Sequence, residues 1–175
     1  ELKSFKSELT QARSQFCSSW KKETRALSNM LRYTKKIDEI IKNIWGNFTI
    51  NESCLIVVGG YGRGELAPFS DIDLLILTSD NASNNCLDAI STFVSSLWDI
   101  GLEAGQSVRT IEESIKLAQS DSTVSTNLLE IRYLAGEKSL FYELQKERRN
   151  SVDSQTFTRA KLLELQKRHA RYRNT

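Results

Sequence analysis

The sequence predicts an α+β fold: a small sheet with helices, set between two helical flanks. Three observations predict it. Residues 4–45 contain neither glycine nor proline and repeat apolar side chains at three- and four-residue steps, the period of an amphipathic helix. Cys54–Val58 and Ile72–Leu77 are short continuous apolar runs, as strands buried on both faces require. After Gly136 the helical period returns. The expected boundaries are an N-terminal helical segment over residues 1–50, a core over 51–137 and a C-terminal helical segment over 138–175.

In the first segment the apolar series runs through Phe5, Leu9, Phe16 and Trp20, then Leu27, Met30 and Leu31, then Ile37, Ile40, Ile41, Ile44 and Trp45. Gly46 and Asn47 supply its stop. Between the two strand runs sit four of the eight glycines (Gly59, Gly60, Gly62, Gly64) and the one proline, Pro68. A polar loop over residues 80–85 leads into a helix marked by Leu87, Ile90, Phe93, Val94 and Leu97. Gln106–Thr110 reads as a third strand and Ile111–Gln119 as a helix. Asn127–Ala135 fits either period, and Lys138–Arg149 and Asp153–Tyr172 read as closing helices. Trp20, Trp45 and Trp98 lie at apolar helical spacing and read as core. Cys54, inside a strand run, reads as an inert packing residue.

A chain of 175 residues, 39% hydrophobic and 26% charged, has the composition of a globular domain, which excludes the collagen-like and fully disordered classes. No apolar run approaches the roughly 18 residues of a membrane helix, and Glu1-Leu-Lys-Ser-Phe-Lys6 has no apolar signal region. Three cysteines without a close-set pair point to a reducing cytoplasm rather than a disulfide framework or zinc knuckle. The net charge of +2 hides a pattern. Residues 1–50 carry 10 basic and 5 acidic side chains, residues 51–135 carry 4 and 12, and residues 136–175 carry 10 and 5. An acidic centre suits cations, whereas basic flanks suit a polyanion or simply form solvated helix faces. Aromatics do not interleave with the basic residues, so a nucleic-acid interface is not expected.

Chemistry concentrates in Val58–Leu77. A buried strand runs into Gly59 and Gly60, where missing Cβ atoms let backbone N–H groups approach a phosphate closely. Ser70-Asp-Ile-Asp73 then opens the second strand, so Asp71 and Asp73 project from one face about 6–7 Å apart and can share hard cations. Either feature alone is more often a turn or a cap. Together, between correctly placed strands, they are the equipment of metal-assisted nucleotidyl transfer. The glycine spacing is neither the G-x-G-x-x-G dinucleotide fingerprint nor a Walker loop.

The stretch Gly59-Gly-Tyr-Gly-Arg-Gly-Glu-Leu-x-Pro-x-Ser-Asp-Ile-Asp-Leu-Leu75 resembles the nucleotidyltransferase motif of bacterial PII uridylyltransferases, within the DNA polymerase β-like superfamily. Gly101-Leu-Glu-Ala-Gly-Gln-Ser-Val-Arg-Thr110 and Asp121–Gly136 resemble the following blocks, and Arg159-Ala-Lys161 with Arg168–Tyr172 resembles the entry to the family's helical region. Near the C-terminus the chain has Arg173 and Asn174 where the family usually has His and Gly. The family's full-length enzymes add an HD domain and paired ACT domains, which these 175 residues do not contain.

The resemblance implies an α+β, polymerase β-like nucleotidyltransferase core with a small mixed sheet. It implies transfer of UMP from UTP to a tyrosine hydroxyl of the PII signalling protein, with release of pyrophosphate. Gly59 and Gly60, with Ser70 in the same motif, then bind the nucleotide, and Asp71 and Asp73 ligate two Mg²⁺ ions about 3.5–4 Å apart. Superfamily members add a third carboxylate from a later strand. Glu130 is the candidate for that catalytic and metal role, with Glu103 and Asp121 as rivals and a surface Glu–Arg pair as its alternative. Arg63 either contacts phosphate or pairs with Glu65. His169, the only histidine, sits among basic residues and reads as a solvated helix end. Two other functions stay open: the same chemistry on a different acceptor, and a nucleotide-binding regulatory module without turnover.

Overall fold

The computed structural model describes residues 2–20 and 26–151. The expected helix over Asp153–Tyr172, with His169 in it, and the side chain of Trp20 lie outside the described residues. Two helices, α1 (Leu2–Trp20) and α2 (Ala26–Gly46), precede the first strand, β1 (Ser53–Val57). A single helical turn, α3 (Gly59–Gly62), leads through a loop to β2 (Ile72–Thr78). There follow α4 (Asn84–Asp99), β3 (Ala104–Arg109), α5 (Ile111–Ser120), α6 (Ser122–Leu129), β4 (Arg132–Gly136) and α7 (Lys138–Ser151). No helix among the described residues is long and apolar enough to cross a membrane.

The four strands form one mixed sheet in the order β3-β2-β1-β4. β1 pairs antiparallel with β2 and β4, whereas β2 and β3 run parallel. The uninterrupted burial of β1 and nearly all of β2 explains their unbroken apolar runs, because helices cover both faces. One face, with Leu55, Val57, Leu74 and Ile76, packs against α1, α2 and α4 through Leu9, Ile37, Ile41, Phe93 and Leu97. The other, with Cys54, Ile56, Leu75 and Leu77, packs against α5, α6 and α7 through Ile115, Leu128, Phe141 and Leu144. Cys54 is fully buried, as its strand position predicts, and Trp45 is buried edge-on against Phe93. Trp98 is 53% exposed, on the outer side of α4, so its apolar spacing did not bring it into the core.

The ambiguous Asn127–Ala135 stretch is both elements in succession. α6 ends at Leu129, and β4 starts at Arg132. Local signals fix the helix starts here: Thr110 and Glu113 form a reciprocal capping box on α5, and the Asp121 carboxylate accepts from the Thr123 and Val124 amides at the head of α6.

Candidate active site

The two aspartates stand at the exposed beginning of β2, with Ile72 between them buried on the opposite face. Among the described residues neither side chain has a hydrogen-bond or ion-pair partner. The carboxyl of Asp73 is raised above the ordinary carboxylate range, first by the water that the surrounding sheet excludes and then by the charge of Asp71. Two adjacent carboxylates with no internal donors could hold a hard cation, which would lower such a pKa again by favouring the charged form. Among the described residues no group of three or more His, Cys, Asp or Glu side chains is arranged to hold a metal. A pair of carboxylates suffices for Mg²⁺ only where substrate phosphates and water complete its octahedron.

β1 delivers the glycine turn to the same place. Val58 N–H donates to the Asp73 carbonyl, so the end of β1 is stitched to the carboxylate. The turn then closes through Gly62 N–H to Val58 O and Arg63 N–H to Gly59 O. Among the described residues the Gly59 and Gly60 amides donate to no backbone carbonyl outside their own turn. The position a Cβ would take at Gly59 lies 3.8 Å from both Asp73 Oδ2 and Asn127 Oδ1, which places the turn, the carboxylate and α6 around one small space. Not every glycine faces that space. A Cβ on Gly62 would sit 1.9 Å from the Glu130 carbonyl oxygen, so that glycine lets the turn pack against the α6–β4 junction. Gly105, paired with Asp73 across the parallel strands, has the matching role, since its Cβ would lie 2.9 Å from Asp73 Oδ1.

The structure places the remaining expected residues differently. Glu130, the expected third carboxylate, is not grouped with Asp71 and Asp73. α6 ends just before it, and as the capping residue it forms an ion pair with Arg63, not a place on a strand face. Arg63 also binds Glu65 at 2.9 Å, so two carboxylates hold it; its Nη2 nevertheless lies 3.6 Å from the Cβ position of Gly60, at the rim of the turn. Ser70 turns its hydroxyl back to the Ala67 carbonyl at 3.0 Å, shaping the bend that presents Asp71. Of the rivals, Asp121 is engaged as the α6 cap.

Several supporting residues carried no signal in the sequence, because their partners are far away in it. Thr34 of α2 donates to the Gly64 carbonyl at 2.8 Å and accepts from Leu66 N–H at 3.1 Å. Tyr33 and Arg13 both donate to the Pro68 carbonyl, at 3.2 and 2.9 Å. The N-terminal helices therefore hold the loop that ends in the aspartates. Arg132 of β4 makes a two-pronged ion pair with Asp38 of α2, at 2.6 and 3.1 Å, and donates to the Tyr61 carbonyl inside the glycine turn at 3.2 Å.

A model of the nucleotidyltransferase domain family matches residues 34–154, from the middle of α2 past the end of α7. The chain belongs to the nucleotidyltransferase domain family. Among curated relatives, a bifunctional uridylyltransferase/uridylyl-removing enzyme of Burkholderia lata is 38% identical over 177 aligned residues, covering 100% of this chain and 20% of the relative. An enzyme of the same name from Aromatoleum aromaticum is 45% identical over 140 residues, covering 79% of this nucleotidyltransferase chain and 16% of the relative. A third, from Cupriavidus pinatubonensis, is 39% identical over 145 residues, covering 82% and 17%. The chain spans about a fifth of the length of the curated relatives it matches.

Proposed function

We propose that this chain carries a Mg²⁺-dependent uridylyltransferase centre that moves UMP from UTP to a tyrosine hydroxyl of a PII signalling protein. The observation that carries the reading is the meeting of the glycine turn with unpartnered Asp71 and Asp73 at the start of β2. The names of the relatives support uridylyl as the group transferred. In the reaction a bond forms between the phenolic oxygen and the α-phosphorus of UTP, the bond from that phosphorus to the bridging oxygen breaks, pyrophosphate leaves, and the phenolic proton passes to solvent.

The chain's own groups have three tasks. The Gly59 and Gly60 amides hold the triphosphate by charge-assisted hydrogen bonds. Asp71 and Asp73 hold the metal, and Gly105 keeps the room in which Asp73 takes its orientation. Arg63 at the rim neutralises departing phosphate charge when it exchanges Glu65 or Glu130 for pyrophosphate. When bound, Mg²⁺ supplies Lewis-acid stabilisation of the triphosphate and lowers the pKa of the attacking phenol from its usual value of about 10.

One observation favours a second reading, a nucleotide-binding module without turnover: no third carboxylate joins the two aspartates among the described residues. Intact-mass spectrometry of PII from the same source, incubated with the chain, Mg²⁺ and each of UTP, ATP, CTP and GTP, separates the two. The expected result is a UMP adduct that requires UTP and disappears in an Asp71→Asn, Asp73→Asn variant. UTP binding with no adduct would replace the transferase by the regulatory module.

A further inference from the structure

A cavity of about 210 Å³ lies beside Asp73, between β3 and α6. Pairing of Asp73 with Gly105, Leu75 with Ser107 and Leu77 with Arg109 puts Ser107 and Arg109 on the same sheet face as the carboxylate. Asn127 of α6 closes the other side, and Val58, Leu75 and Leu128 give an apolar floor. Among the described residues the side chains of Ser107, Arg109 and Asn127 form no hydrogen bond and no ion pair. A carboxamide, a hydroxyl and a guanidinium whose charge also acts on Asp121, all without hydrogen bonds on an apolar-floored space, are the makings of a ligand site.

We infer that this cavity receives the pyrimidine nucleoside end of the triphosphate, and that Arg109 and Asn127 choose its base. The inference rests on the uridylyl-transfer reading and adds what selects the nucleotide. With the phosphates on the glycine turn and the metal held by the aspartates, the 5′-oxygen that joins the sugar to the α-phosphate lies near Asp73, which lines this cavity as well. The uracil edge presents two carbonyl acceptors around one N–H donor. The Asn127 carboxamide matches a neighbouring donor and acceptor of that edge. Arg109 can only donate, so it donates to the 4-carbonyl of uracil and opposes the 4-amino group of cytosine. A site built on such donors rejects the wrong base because its own polar groups are left unpaired.

Two variants of the whole chain test this, Arg109→Met and Asn127→Ala, each first shown by circular dichroism to unfold at a midpoint near the parent's. Mg²⁺-dependent binding of UTP, CTP, ATP and inorganic tripolyphosphate is measured by titration calorimetry. The parent is expected to bind UTP at least tenfold more tightly than CTP or ATP. Arg109→Met is expected to lose that preference over CTP while binding tripolyphosphate as the parent does, and Asn127→Ala to lose at least tenfold in UTP affinity. Equal weakening of all four ligands by Arg109→Met would make Arg109 a phosphate contact and overturn the inference. Unchanged selectivity in both variants overturns it too, leaving the cavity to the acceptor's phenol ring. If the parent binds no nucleoside triphosphate with Mg²⁺, the uridylyl-transfer reading itself fails, a result distinct from either.

Discussion

Removing Arg132 takes from Asp38 the partner of its two-pronged ion pair. The Asp38 side chain is only 13% exposed and Arg132 33%, and the two-pronged contact joins α2 to β4. Breaking such a pair from one side costs about 3–5 kcal/mol when both charges are buried. The partial exposure of Arg132 sets Arg132→Met at the lower end, about 3 kcal/mol. A domain of this size loses about 2–4 °C of unfolding midpoint per kcal/mol, so the expected drop is about 6–12 °C. The double variant Asp38→Leu, Arg132→Met removes both charges and is expected to recover most of that loss, because an apolar pair of similar volume replaces a buried ion pair at little cost. Urea and thermal unfolding of parent, both single variants and the double variant give the coupling energy directly. A loss below about 1 kcal/mol for Arg132→Met, the range of an exposed pair, or a double variant as unstable as the sum of the singles, would refute the reasoning.

Thr34→Val removes the hydroxyl that serves both Gly64 and Leu66; a loss of about 1–3 kcal/mol is expected in urea unfolding, with weaker Mg²⁺–UTP binding because the aspartate loop is no longer held. Burial pushes the Cys54 thiol up to about 12, so iodoacetamide at neutral pH is expected to label exposed Cys17 while buried Cys54 and Cys86 react only in denaturant, as peptide mass mapping will show. The Thr123 and Val124 amides hold the Asp121 carboxyl below the ordinary carboxylate range. Its capping contribution is therefore present at neutral pH and lost as acid protonates it, and the stability gap between the parent and Asp121→Ala, followed by unfolding at a series of pH values, is expected to close on acidification.

What the sequence could reveal depended on how local the cause was. β1 and β2 were legible because helices cover both their faces and leave a continuous apolar run. The exposed placement of Asp71 and Asp73 on either side of buried Ile72 was legible because period two puts alternate positions on one face. Glu130 misled because its stretch satisfies both periods, and the helix ends one residue before it. Trp98 misled because a three-to-four spacing says that residues share a face, not which face is inward. Gly105 offered a faint signal, a glycine beside a strand pattern, where close approach is the usual reason. Asp38 and Thr34 gave none, since each owes its role to a partner that only the folded chain brings near.

The most direct test of the central claim is titration calorimetry of Mg²⁺–UTP binding to the parent chain and to Asp73→Asn. Binding that requires Mg²⁺ and is lost or weakened at least a hundredfold in Asp73→Asn is the expected result. Binding that persists without metal, or that ignores the Asp73 substitution, would contradict a metal–triphosphate site at the start of β2.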